Sequence, residues 1–229
     1  MKPAYTSIVA VMLIVIAVAL AGCTSQTTTT SSGGSGTSST GSPSSTASSS
    51  SPQVGSTVSS SSVFGTNYNW MEYQVTSTSG GKDTKMDMKM ERSADTYQGQ
   101  PATHIKVTMT SSTNAMSGVY DYYYDSAMST ILGGTMTITV NGKTMTMNIP
   151  ATQLSQTEAT NFNKASPLTF AGIEPVSVPA GTYPTASKYT KSENGIDVTF
   201  WSAPGVPVPV KMASSSSTTS TTSELVGWG

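Results

Sequence analysis

GTMTITVNGKTMTMNI, residues 134–149, alternates apolar and polar side chains on either side of Asn141-Gly142. A period of two is the mark of a strand with one face covered. Asn-Gly is the preferred dipeptide of a two-residue hairpin turn, in which both positions take positive φ. The turn predicts Val140 opposite Lys143, Ile138 opposite Met145 and Met136 opposite Met147. Met136, Ile138, Met145 and Met147 then share one face and the threonines the other, so turn chemistry and hydrophobic pattern agree.

The same period recurs upstream. Met71, Tyr73 and Val75 fall on one face, and Met86, Met88 and Met90 alternate with Asp87 and Lys89 after Gly80-Gly81. Ile105, Val107 and Met109 alternate with His104, Lys106 and Thr108. Downstream, strands are expected over 173–178, 183–191, 196–202 and 206–212, with Pro207 and Pro209 making 206–210 an edge or extended loop. Residues 151–164 lack alternation, Ser155 and Glu158 have capping-box spacing, and Leu154 and Phe162 lie two turns apart, which predicts one short helix. Ser214 to Ser223 is all Ser or Thr and reads as a mobile loop. The expected class is α+β: a curved antiparallel sheet of about ten strands, a half-barrel, with one or two short helices, spanning 63–229.

Residues 1–62 read differently. Lys2 precedes thirteen consecutive apolar residues, Ile8 to Leu20, shorter than the roughly twenty a membrane span needs and suited to a signal-peptide core. The run enters Leu20-Ala21-Gly22-Cys23, which resembles the lipobox of prokaryotic lipoproteins. That resemblance implies a signal peptide over 1–22, cleavage, and a lipidated Cys23 as the membrane anchor; the plain alternative is an uncleaved anchor helix. From Thr24 to Ser62, 27 of 39 residues are Ser or Thr and none is charged. Such a segment has too little apolar surface to offset chain entropy, so 23–62 is expected to be a disordered stalk reaching about 35 Å. Lipobox, stalk and acidic pI together resemble archaeal surface lipoproteins.

Two turn-centred stretches carry a second resemblance. Val178-Pro179-Ala180-Gly181-Thr182-Tyr183 and Phe200-Trp201-Ser202-Ala203-Pro204-Gly205-Val206, continuing to Lys211, are similar to a pattern of the TapB-like surface lipoproteins. Tyr97 to Ala102 and Glu224 to Val226 also suit it. Those proteins belong to the half-barrel superfamily that includes the lipoprotein carriers LolA and LppX. The resemblance implies a sheet wrapped around a helix and no catalytic residues.

Composition excludes several functions. With 11 Lys+Arg against 12 Asp+Glu the net charge is -1, so no basic patch for nucleic acid is visible. One Cys and one His rule out disulfide frameworks and His-pair zinc motifs. No GxSxG, HExxH, Walker or dinucleotide fingerprint occurs, and neither an enzyme nor a cofactor is expected. His104 reads as a solvated side chain on the polar face. Asp121 and Asp125 share a strand face about 13 Å apart, too far for paired-carboxylate chemistry alone. Tyr120, Tyr122, Tyr123 and Tyr124 could stack on sugars, though Tyr is also favoured in strands.

Methionine is the distinctive residue, thirteen in all. Met86, Met88, Met90, Met109, Met136, Met145 and Met147, with Trp201, are the candidate lining of a hydrophobic cavity, since Met adapts to loosely defined apolar ligands. Core packing is the plain alternative, and copper binding through thioethers is disfavoured by the single His. Function therefore reads as a lipid-anchored envelope protein outside the cytoplasm that binds a lipid or other apolar ligand. The alternative is a structural or adhesive protein meeting surface proteins or glycans.

Overall fold

The computed structural model describes residues 52–63, 65, 67–111, 116–151, 167–193 and 195–229. They form β1 (Thr57–Val58), α1 (Ser60–Val63), β2 (Trp70–Ser79), β3 (Lys82–Tyr97), β4 (Gln100–Ser111), β5 (Met116–Asp125) and β6 (Ile131–Val140). Then follow β7 (Lys143–Pro150), β8 (Leu168–Val178), β9 (Gly181–Glu193), β10 (Ile196–Ser202), β11 (Lys211–Ser215) and β12 (Thr219–Trp228). All twelve strands belong to one sheet, ordered β1-β8-β9-β10-β11-β12-β2-β3-β4-β5-β6-β7. Every neighbouring pair is antiparallel.

The expected class of α+β is therefore corrected to all-β. Period-two patterning dominates the long strands, slipping at the register shifts of β8–β9 and β5–β6, and among the described residues the one helical element is α1, four residues long. The helix expected over 151–164 lies outside the described residues after Ala151, as do the leader, Cys23 and the stalk as far as Ser51. Further along that expected stalk, Thr57 and Val58 pair with Thr169 and Leu168, so its last residues contribute the outermost strand.

A second correction concerns the Ser/Thr tract. Ser214 to Ser223 is not a loop: its ends lie in β11 and β12, and β12 sits between β11 and β2, joining the two halves of the sheet. Thr is a good strand former because its branched Cβ suits a pleated surface. Thr221, Ser223 and Leu225 alternate inward, and the Thr221 hydroxyl donates to Ser77 Oγ at 3.2 Å, so the buried polar pair partners itself.

The β6–β7 hairpin has the register its turn predicts, with Val140 opposite Lys143, Ile138 opposite Met145 and Met136 opposite Met147. Asn141 and Gly142 take φ of 50° and 76°. The apolar face continues from strand to strand in step. Met71, Tyr73 and Val75 face Met90, Met88 and Met86 on β3. Met88 and Met90 in turn face Met109 and Val107 on β4, and Val107 faces Tyr120 on β5. On the other half, Phe170, Tyr189, Phe200 and Met212 form one row across β8 to β11. Each fully buried side chain of this size is worth about 1.5–3 kcal/mol relative to exposure.

Both turn-centred stretches brace this inner face. β10 stops at Ser202 and β11 starts at Lys211, because the prolines at 207 and 209 have no N–H for a ladder. Residues 203–210 instead turn at Pro204-Gly205, where Val206 N–H donates to Ala203 C=O, and bury Val208 and Val210 in the core. The β8–β9 tip bends over to meet β12, where Ala180 N–H donates to Leu225 C=O at 2.9 Å. The sheet is thus folded upon its own apolar side.

Candidate functional site: the inner apolar face

The predicted methionines lie along this one face but in two environments. Met86, Met88, Met90 and Met109 are buried in the main core cluster. Toward the sheet's edge the cover thins. Met136 is half-buried, Met147 is 42% exposed and Met145 62% exposed. Cross-strand register links the two environments directly: the row Met88, Met109, Gly118, Ile138, Met145 runs from the core to the open edge. Beside it runs Met90, Val107, Tyr120, Met136, Met147. An apolar strip therefore runs from the core onto a hairpin whose methionines are exposed, offering soft, rotatable side chains and no fixed charge. Such a strip can hold an extended hydrocarbon through dispersion and exclusion of water.

Trp201 does not belong to it. Phe200 takes the inner position, and Trp201 points to the opposite face, where it is opposite Lys188 and Lys211. The two ammonium groups lie 5.4 and 6.0 Å from its ring, and its indole N–H donates to Glu174 Oε1 at 2.6 Å. The ring is only 9% exposed, covered as part of a charged girdle that includes the Lys211–Glu224 ion pair at 2.8 Å. The indole bond, then Lys188, holds the Glu174 carboxyl below its ordinary range. Trp201 is removed from the candidate lining on this ground.

The inner face also carries hydroxyls. Tyr73 is fully buried, and its hydroxyl donates to Pro209 C=O at 2.7 Å. Burial, then the nearby Tyr68 and Tyr183, pushes that phenol well above its usual value, so it remains a neutral donor. Tyr120, Tyr122 and Tyr124 point inward with the core, while Tyr123 points outward, so the four tyrosines do not form one platform.

On the outer face, His104 Nε2 lies 2.8 Å from Asp121 Oδ1, and Nδ1 lies 3.9 Å from Asp95 Oδ2. The imidazole stacks on Tyr123 with ring centres 4.7 Å apart, and Tyr97 packs on Tyr123 at 4.9 Å. This group was not foreseen, because Asp95, His104 and Asp121 come from three strands. Asp125 is elsewhere engaged, accepting from the Ser129 backbone N–H at 2.7 Å and from the Ser129 hydroxyl, bonds that lower its pKa. The Asp121/Asp125 pairing is thereby split. Among the described residues, no group of three His, Cys, Asp or Glu is placed to hold a metal ion.

No protein-family model matches the chain, and no curated protein matches it in sequence. Membership of the lipoprotein family that the two turn stretches resemble is accordingly not shown. In three dimensions the chain is similar to the crystal structure of a DUF1329 family protein from Desulfovibrio piger. The two share 6% identity with a TM-score of 0.31, over 69% of this chain and 84% of that one, a likeness too slight to carry an argument about function.

Proposed function

We propose that this is a non-catalytic envelope lipoprotein, anchored through Cys23 and facing outside the cytoplasm, that holds an acyl chain or similar apolar ligand on the inner face of its sheet. The carrying observation is the apolar strip from Met88 to Met145, buried at one end and exposed at the other. Met145 and Met147 stand exposed side by side at the end of a buried apolar row, which favours an interaction surface over packing alone. The half-barrel resemblance of the two turn stretches supports the same reading.

The test is ligand capture. Native mass spectrometry of the full chain, released gently from membranes, is expected to show one or more apolar molecules beyond the covalent anchor. A fluorescent fatty acid is expected to bind saturably and to be displaced by unlabelled fatty acid. Non-saturable uptake together with a mass equal to the lipidated polypeptide alone would overturn the proposal.

A further inference from the structure

We propose that β7 pairs with β7 of a second copy of this chain, antiparallel about a two-fold axis, so that the apolar strips of two molecules become one. Among the described residues β7 ends the sheet and pairs with β6 alone. A free edge strand is a template for another strand, and proteins ordinarily blunt it with brevity, charge, proline or a bulge. At the opposite edge β1 covers only Thr169 and Leu168 of β8, and the rest of β8 carries Pro175 and two register shifts, at Phe170/Gly172 and Glu174/Val176. β7 has eight residues, its only charge is Lys143 at one end, its only proline is Pro150 at the other, and its register with β6 is free of bulges. Met145 and Met147 stand exposed along it.

The strand is also self-complementary. For like faces to meet in an antiparallel pair, odd-numbered residues must oppose odd-numbered ones. Centring the axis on Thr146 does this and keeps Pro150 outside the ladder. Met145 then faces the partner's Met147 twice, Thr144 faces the partner's Asn148, and Thr146 faces the partner's Thr146. The threonine ladder already present between β6 and β7, Thr139–Thr144 at 2.9 Å and Thr137–Thr146 at 3.1 Å, is extended on the outer face. The two Lys143 side chains fall at opposite ends, about 20 Å apart, beyond the roughly 8 Å over which salt leaves charges felt. One strand edge with one row of methionines is near the low end of specific interfaces, so a micromolar dimer is expected.

Disulfide trapping in the full chain, in lipid vesicles, tests the register. Opposed residues of an antiparallel pair have Cβ atoms about 4.5–5.5 Å apart, close to disulfide geometry. Thr146→Cys is expected to give a covalent dimer under mild oxidant, with the 146–146 link identified by peptide mass spectrometry so that links through Cys23 are not counted. Thr137→Cys, one strand inward, is the collision control and is expected not to link. Adding Met145→Asp and Met147→Asp to Thr146→Cys is expected to cut linking at least tenfold while the melting temperature stays the same. Absence of the 146–146 link, equal linking at 137, or linking insensitive to the aspartates overturns the proposal. So does protection of Met145 and Met147 from peroxide in a chain that does not link, because another part of the same chain, or a bound acyl chain, would then be the occupant.

Discussion

The Tyr73 hydroxyl donates to the Pro209 carbonyl at 2.7 Å, tying the middle of β2 to the proline-rich crossing between β10 and β11, 136 residues away in the chain. Pro209 has no N–H, so its carbonyl is the only backbone polar group it brings into the core, and Tyr73 satisfies it. Tyr73→Phe keeps the ring and leaves that carbonyl without its donor. Stability is expected to fall by about 1–3 kcal/mol, the range for orphaning a buried acceptor, with an unchanged urea m-value. Equilibrium urea unfolding checks it, and an unaltered midpoint would show that water reaches Pro209.

Gly133 is set by Tyr97. The glycine takes φ of 152°, and a Cβ built there would collide with the Tyr97 hydroxyl. The ring that Tyr97 lays over Tyr123 needs that missing methyl. Gly133→Ala is expected to cost about 1–3 kcal/mol from strain and collision together. In a Tyr97→Ala background the collision disappears and only the backbone strain remains, so the double mutant should be more stable than the sum of the singles by at least about 0.5 kcal/mol. Thermal melts of the four chains close the cycle, and strict additivity would count against the contact.

What was legible in the sequence was local. Asn141-Gly142 fixes a register within sixteen residues because turn geometry and side-chain alternation act on the same few bonds. The choice between Phe200 and Trp201 was not local: alternation says they oppose, and only their cross-strand neighbours say which is inside. Tyr189 and Met212 flank Phe200, whereas Lys188 and Lys211 flank Trp201, and those lysines were the overlooked signal. The Ser/Thr tract misled because composition is blind to order. The same residue types make a linker at 23–62 by expectation and a central strand at 219–223, where Leu225 and the β2 partner supply the burial. His104 and Asp121 meet only after two strands pair, a contact no spacing announces.

Acid should destabilise the fold through identifiable carboxylates. Glu174 is held low by the Trp201 indole and then Lys188, Asp125 by Ser129, and Glu91 by Lys89. Each folded-state pKa lies below its unfolded value, so each group stabilises the protein at neutral pH. That contribution is lost as pH falls from the ordinary carboxylate range of about 4 through the lowered folded values. These side chains are substantially exposed, so the individual effects are small and salt-sensitive. Denaturation midpoints measured from pH 7 to 2.5 are expected to decline below about 4.5. Glu174→Gln and Asp125→Asn together should flatten that decline, and a profile identical to wild type would refute the assignment.

The proposed anchor at Cys23 can be tested apart from folding. A thiol is required for a thioether-linked lipid, and buried acyl chains contribute about 0.8 kcal/mol per methylene, so two chains hold a protein firmly. If cleavage follows lipidation at this position, Cys23→Ser blocks both. The variant is expected to incorporate no labelled acyl chain and to run larger than wild type by the mass of the unremoved leader. It is expected to stay with membranes through its apolar run at 8–20 alone. Among the described residues the sheet begins at Thr57, far along the chain from Cys23, so the thermal melt of the domain should be unchanged. A variant of wild-type size that remains washed-membrane-bound without acyl label would mean that something other than Cys23 anchors the chain. The acyl-binding reading of the inner face would then have to stand without a membrane beside it.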